Sequence, residues 1–368
     1  GADKVLERVN LREQVVWSHP AGDEDTQMMA EDYLRMGLTK AKEMEPPVPF
    51  QGENLSKRIL VVGGGLTGLT AAKEAAAAGY EVVLVEKSDA LGGYLKTAHS
   101  VPPLGPPYDQ PHTFDLDGLV SAVTENDKIT VYTGSQIQKI VGAPCMFDVT
   151  IQSNGSQACE RVGAIVLATG SVPYDAEKLG HLGYGKHADV VTADRLEAML
   201  KEGRVVRPSN GQPAKSVAFV LCAGSRDPEH LPYCSAACCV ESLKQAKLLK
   251  EHNPEMPVYI FYKDMRATGN DELFYKQVQK DGVVFVRGTV SAVEDDGSGG
   301  LTVSAEDVLT RAPIVSESVD LVVLATGMVS TASLGKPYKA QQPKEGEEEL
   351  EVPADTILVS NLLNLEYR

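Results

Sequence analysis

Two groups of residues in this 368-residue sequence have types and spacings that could do chemistry. The first is a set of four cysteines, Cys222, Cys234, Cys238 and Cys239, crowded into one short segment of a chain with six in all. Four readings of that crowding stand side by side. A [4Fe-4S] cluster needs four thiolates and tolerates irregular spacing. Zinc also takes four cysteines, but usually through paired Cys-x-x-Cys turns, which this segment lacks. A redox-active thiol or disulfide pair is the third reading, and four merely structural thiols the fourth. The second group is Gly63-x-Gly65-x-x-Gly68, followed by Glu86. In a strand-turn-helix-strand context, Gly63 permits a tight turn and Gly65 leaves room for a pyrophosphate at the helix N-terminus. Gly68 lets the helix approach the sheet, and Glu86 accepts hydrogen bonds from a ribose.

The elements that must position these residues are legible around them. Arg58 to Val62 reads as a short apolar strand, Leu66 to Ala78 as an alanine-rich helix and Glu81 to Glu86 as a second strand, a βαβ unit. Residues 128–158 alternate in short β-like runs broken by Asn-Gly at 154 and 155, which predicts a small antiparallel insertion. Ala164-Ile-Val-Leu-Ala-Thr-Gly170 is a buried strand ending in a glycine turn, and Leu321-Val-Val-Leu-Ala-Thr-Gly327 nearly repeats it. Between the two lies a second α/β segment. It comprises strand Ser216 to Leu221, the cysteine-rich loop, helix Cys238 to Glu251, strand Pro257 to Tyr262, helix Asp271 to Lys280 and strand Val283 to Arg287. Upstream, Asp25 to Glu43 fits a helix ended by Pro46, Pro47 and Pro49, in an extension expected to pack on the main body with Trp17 as an anchor. Residues 341–352 are acidic and read as a solvated loop.

Composition narrows the partners. With 35 basic and 51 acidic side chains the formal charge is -16 and the pI about 4.9, so phosphate backbones and anionic lipid heads are repelled. No basic cluster interleaved with aromatics is present, and nucleic acid is disfavoured. No apolar run reaches the roughly 18 residues of a membrane span. The first residues do not form a signal peptide, and a start at Gly1 implies a natural chain that extends past one end or the other. Cysteine usage points to a reducing compartment. None of the seven histidines belongs to a ligand-spaced group. Lys244 is read as solvated, while Arg226 could supply positive charge beside the thiolates.

Leu91-Gly92-Gly93 just past Glu86, together with the two Ala-Thr-Gly strand ends, resembles flavoproteins of the glutathione/thioredoxin-reductase superfamily, which have two Rossmann-like dinucleotide-binding domains. The resemblance implies FAD, contacted by Gly63, Gly65, Gly68, Glu86, Lys87, Gly92, Gly93, Thr169 and Gly170, with Thr326 and Gly327 following. Two departures stand out. Where the second domain should open with its own glycine fingerprint for NAD(P)H, the chain reads Cys222-Ala-Gly-Ser-Arg-Asp227. Residues 328–368 also lack the closing strand and Gly-Asp-type turn of the superfamily, so the flavin domain is expected to be cut short.

Val9-Asn-Leu-Arg-Glu-Gln-Val-Val-Trp-Ser-His19, Gly183-Tyr-Gly-Lys186, Cys222-Ala-Gly-Ser-Arg-Asp227 and Tyr233-Cys-Ser-Ala-Ala-Cys-Cys239 further resemble the A-type flavoprotein of heterodisulfide reductases, over nearly the whole chain. Lys96 to Tyr108 and the acidic tail are most similar to the B-type flavoprotein of the quinone-interacting membrane-bound oxidoreductase complex of sulfate reducers. This resemblance implies FAD, a [4Fe-4S] cluster on the four cysteines, and electron transfer inside an anaerobic multi-subunit oxidoreductase, with no catalytic acid or base. Partners would be other subunits of a membrane-associated complex, and the location cytoplasmic, peripheral on the inner face of the membrane through those partners. Many relatives carry a cysteine where this chain has Val15, and the family's ferredoxin-like cysteine run is missing.

The expected architecture is therefore α/β, in four parts: a helical extension over 1–56, a FAD-binding domain over 57–205, a degenerate NAD-type domain carrying the cysteines over 206–312, and a truncated return to the FAD domain over 313–368. Two other functions compete with the relay: an NAD(P)H-dependent flavin disulfide reductase working through Cys238 or Cys239, and a non-catalytic docking scaffold.

Overall fold

A computed structural model describes residues 4–46, 52, 55–153, 155–316 and 318–333. The chain divides into two compact units, 1–54 and 55–368. The acidic segment 341–352, Pro47 and Pro49 lie outside the described residues.

The first unit is built on α1 (Glu24–Glu43), whose N-cap Asp23 accepts from the Asp25 backbone N–H and whose last turn carries Lys40 and Lys42, opposite in charge to the carbonyl end of the helix. Glu7 pairs with Lys40 at 2.9 Å, and Gly37 lies where any Cβ would stand 2.3 Å from a Val9 methyl. Val15 is fully buried. Trp17 corrects the expectation of an anchor: its side chain is 69% exposed, with the Arg12 guanidinium 5.3 Å from the ring centroid.

The second unit contains two versions of one topology. In the first, β1 (Ile59–Val62), α2 (Leu66–Ala77), β2 (Val82–Val85), α3 (Leu116–Thr124) and β3 (Ile129–Tyr132) precede an antiparallel meander, β4 (Ser135–Val141), β5 (Phe147–Ser153) and β6 (Ser156–Val162). β7 (Ala164–Leu167) then closes a parallel sheet of order β3-β2-β1-β7. Strands such as Ile-Leu-Val-Val and Val-Val-Leu-Val read as continuous apolar runs because both faces are covered. Gly68, Ala72 and Ala76 recur every fourth residue on α2 and bring that helix close to the sheet.

β8 (Ser171–Pro173) leads across to the second version. There β9 (Val190–Thr192) and α4 (Ala193–Lys201) precede β10 (Val217–Ala223), α5 (Cys238–His252), β11 (Val258–Tyr262), α6 (Asp271–Lys280) and β12 (Val284–Asp295). β12 runs on past a bulge into a meander with β13 (Leu301–Asp307) and β14 (Pro313–Val315). β15 (Leu321–Thr326) completes the order β12-β11-β10-β15, with β9 outside it. α5 sends Leu243, Ala246 and Leu249 into one core with Phe219, Ile260 and Phe274. β16 (Met328–Ser330) then pairs antiparallel with β8, and Thr331 returns to Gly170 through its backbone N–H at 3.0 Å.

These Rossmann-like sheets match the expected fold class, but four strands, β3, β9, β14 and β15, fall elsewhere than expected. Ile129–Tyr132 is the edge of the first parallel sheet, so the antiparallel insertion comprises only β4 to β6. The divisions at 205/206 and 312/313 cut through the second sheet, which contains both β9 and β15. β15 therefore does not rejoin the first sheet.

A Cβ at position 68 would stand 1.8 Å from the Gly63 carbonyl oxygen, which is backbone and cannot swing away. Gly68→Ala is expected to destabilise the second unit by about 2–3 kcal/mol as α2 is pushed off the sheet. Thermal unfolding followed by circular dichroism should show the midpoint falling by roughly 5–10 °C.

Candidate functional site

The site begins at the turn between β1 and α2. Gly63 has φ +108, and a Cβ there would lie 2.3 Å from the Ala168 carbonyl oxygen. Gly65 is the N-cap of α2 and offers no side chain, so the first-turn amides of that helix have no side-chain cap. Gly92 donates its N–H to the Gly64 carbonyl at 2.8 Å, docking the second glycine pair against the first. Gly93, with φ +53, faces Gly65 so closely that a Cβ would meet its Cα at 2.9 Å. Glu86 ends the β2 edge of this cradle, its Oε2 accepting from Gly64 N at 2.6 Å and its Oε1 from Ser88 N at 2.8 Å. Each oxygen retains a lone pair for a ligand hydroxyl.

A cavity of about 600 Å³ extends from this cradle, within the size range of small-molecule and cofactor sites. Gly63, Gly65, Glu86, Lys87, Gly93, Thr169 and Gly170 line it from the first half of the second unit, and Thr326 on β15 and Cys238 on α5 from the second half. The Thr331 hydroxyl holds the turn at Thr169 by donating to its carbonyl at 2.6 Å. Gly68, Gly92 and Gly327 stand outside the cavity wall: Gly68, on α2, faces the Gly63 backbone and Val61, Gly92 faces Leu116 and Lys96, and Gly327 packs on Leu231 and Ser225. Sequence reasoning missed Tyr94, Glu241 and Ser242, which also line the cavity. Tyr94 follows the glycine pair directly, a signal that could have found it; the other two sit on the cysteine helix.

Cys222, the last residue but one of β10, has φ +58, a left-handed conformation that a non-glycine residue adopts at a cost. Residues 224–237 form the loop, and Cys238 opens α5. Burial and the nearby charges of Cys222, Cys239 and Cys234 push the Cys238 thiol up to about 12. Burial also raises Cys222 and Cys239; Arg226, paired with Asp264 at 2.8 Å, pulls Cys222 back, and the Arg266 N–H does the same for Cys239. Cys238 donates to the Thr326 carbonyl at 3.4 Å. The four thiols thus lie in one another's electrostatic field, but among the described residues no three His, Cys, Asp or Glu side chains are gathered at the spacing of a metal site. As a donor set, four soft sulfurs fit iron-sulfur or zinc chemistry, and binding would have to displace their protons. Cys145 and Cys159 are exposed and apart from this group.

Lys244 overturns the expectation of a solvated side chain. It is fully buried, and its ammonium donates to Glu197 at 2.8 Å, Glu241 at 2.6 Å and the Ser100 carbonyl at 2.9 Å. Glu197 also accepts from the His99 N–H and from Gln245, both at 2.8 Å. Burial alone would raise the Glu197 carboxyl, but the Lys244 charge and these donors hold it below the usual carboxylate range. Glu241 has fewer donors, and burial raises it despite Lys244. One lysine therefore stabilises one ionised carboxylate fully and a second only in part.

With this geometry in view, residues 37–102 and 57–220 match the pyridine nucleotide-disulphide oxidoreductase family. The chain belongs to that family. Among curated relatives, the A component of the ferredoxin/F(420)H(2)-dependent CoB-CoM heterodisulfide reductase of Methanosarcina acetivorans is 29% identical over 411 residues, 89% of this chain and 51% of the relative. The second iron-sulfur A component of the CoB-CoM heterodisulfide reductase of Methanopyrus kandleri is 30% identical over 414 residues, 88% of this chain and 61% of the relative. The chain thus spans about half to three-fifths of the length of these relatives. The family resemblance carried by the cysteine and glycine motifs agrees with these similarities. Among solved structures, Lactococcus lactis thioredoxin reductase has a TM-score of 0.48 at 16% identity, over 74% of this chain and 78% of that one.

Removing the Lys244 charge strands a buried carboxylate. Lys244→Met is expected to cost about 3–5 kcal/mol at neutral pH, read from urea unfolding. The pH dependence follows from the lowered Glu197 carboxyl: its contribution is complete above the unfolded value, near 4.3, and is lost as pH falls through the lower folded value. The deficit of Lys244→Met relative to wild type should therefore be complete above about pH 4.3 and shrink as pH is taken further down; a deficit that stays constant below about pH 4 would place the loss in packing alone.

Proposed function

We propose that this chain is the electron-relay part of an anaerobic multi-subunit oxidoreductase of the heterodisulfide reductase A type, with FAD in the cavity and a [4Fe-4S] cluster on Cys222, Cys234, Cys238 and Cys239. The observation that carries the reading is the continuity of one cavity from Gly65 and Glu86 to Cys238. The glycine cradle, with two backbones in contact and uncapped amides, suits a pyrophosphate. Glu86 and Lys87 suit the adenosine side, and Thr169, Gly170 and Thr326 the remainder, with Gly68, Gly92 and Gly327 shaping the wall from behind. When bound, FAD exchanges electrons in pairs or singly and the cluster exchanges them singly. The chain's own residues orient and separate the two groups: Thr331 fixes the Thr169 turn, and Lys244 fixes α5, and with it Cys238, against the segment 94–100. No side chain is required as an acid or base.

Support for the cluster comes from the four mutually interacting thiols and from the Methanopyrus relative, whose name describes it as iron-sulfur. Likeness over Lys96 to Tyr108 favours the quinone-interacting complex of sulfate reducers as the assembly, with other subunits as partners. Attachment to the cytoplasmic face of the membrane would come through those partners, since among the described residues no helix is long and apolar enough to cross one.

The competing disulfide reductase is opposed by two features. β10 leads into the long loop 224–237 where a short glycine turn would hold NAD(P)H, and the Cys238 thiol, at about 12, is protonated at neutral pH and a poor nucleophile.

Anaerobically purified protein should contain about one FAD, four iron and four sulfide per chain. Cys234→Ser should lose most of the iron while retaining flavin, and NADH should leave the visible flavin band unchanged. Bleaching by NADH would instead favour the disulfide reductase, and a chain without flavin colour the scaffold. Glu86→Ala, which removes the acceptor that organises the cradle, is expected to weaken FAD binding by roughly 10- to 100-fold in a fluorescence titration.

A further inference from the structure

Ser242 lies one turn after Cys238 on α5, is fully buried, and lines the cavity. Its hydroxyl has no hydrogen-bond partner. A serine inside a helix commonly donates back to the carbonyl four residues earlier, here that of Cys238, and Ser242 does not. A buried hydroxyl left unpaired is destabilising, so such a group at a cavity wall calls for a partner that the cavity receives.

The position of Ser242 says which part of a ligand that partner would be. The glycine cradle and Glu86 line the same cavity and suit the nucleotide half of a dinucleotide. The half that remains reaches α4 and α5, where Ala193 and Ala237 are apolar and the Asp194 carboxylate can only accept. The Cys238 thiol donates to Thr326, and Glu241 is held by Lys244 and by the Tyr94 hydroxyl at 3.1 Å. A flat ring whose edge carries carbonyl oxygens and ring nitrogens needs a donor at this wall, and the Ser242 O–H is uncommitted.

We propose that Ser242 is a positioning residue that donates a hydrogen bond to the heteroatom edge of the isoalloxazine ring and so sets the ring's orientation beside Cys238. This rests on the reading of the cavity as a FAD site. The test compares the full chain, stripped of flavin and titrated anaerobically with FAD, as wild type, Ser242→Ala and Ser242→Thr. Ser242→Ala should melt no lower than wild type without FAD, because an unpaired buried hydroxyl has been removed. It should also bind FAD about three- to tenfold more weakly and shift the visible absorption maxima of the bound flavin. Ser242→Thr, which keeps the hydroxyl, should retain the wild-type maxima. If wild type binds FAD and Ser242→Ala matches it in affinity and spectrum, the assignment of Ser242 is overturned while the flavin site stands. If wild type takes up no FAD, both fall.

Discussion

The buried charge of Lys244 is the constraint on which the arrangement of the second unit depends. An ammonium without water must spend all three donors inside the protein, and here they go to α4, to α5 itself and to the backbone of the segment after the second glycine pair. A rotation of one sheet against the other would separate at least one of these groups from its partner. The side of the cavity that carries Cys238 is thereby held at a set distance from the glycine cradle, as the proposed relay between two cofactors would require. Lys201 reinforces the same seam by donating to the Lys96 carbonyl.

The two halves of the second unit share one strand order and one sequence of elements, and they differ at the strand-to-helix connection that faces the cavity. In the first half the connection is three glycines, small because backbone, helix and ligand must all approach one another. In the second half it is the loop 224–237, which follows closely on Cys222, runs into Cys238 and contains two further left-handed non-glycine residues, Arg226 and Ala236. Backbone strain of this kind persists only where the surroundings enforce it. The loop thus occupies the place of a nucleotide-binding turn with a structure suited to holding sulfur.

Much of this was legible in the sequence, for definite reasons. At Gly63 and Gly68 contacts with backbone atoms leave no alternative residue, and with Gly65 they set a spacing from which turn and neighbouring elements could be placed together. The pairing partner of Ile129–Tyr132 was not legible, because alternation does not distinguish the edge of a parallel sheet from a meander. The near-repeat Leu321–Gly327 was read as a return to the first sheet. Its likeness to Ala164–Gly170 reflects the same role played in a second copy of the fold. Lys244 was hidden because its burial comes from Glu197 and Ser100, distant in sequence, while a lysine on a helix is ordinarily wet. Ser242 was hidden for a similar reason: nothing local marks a hydroxyl as unpaired.

The pairing of β8 with β16, and of Gly170 with Thr331, has a modular consequence. The chain leaves the first parallel sheet and comes back beside the same turn, so residues 171–330 form a closed excursion whose two ends are neighbours. Such a segment behaves as a cassette: it can diverge, acquire a new prosthetic group or be exchanged without cutting any strand of the sheet from which it departs. Replacement of one dinucleotide turn by a sulfur-bearing loop, within an otherwise matching partner, is the kind of change that this wiring permits.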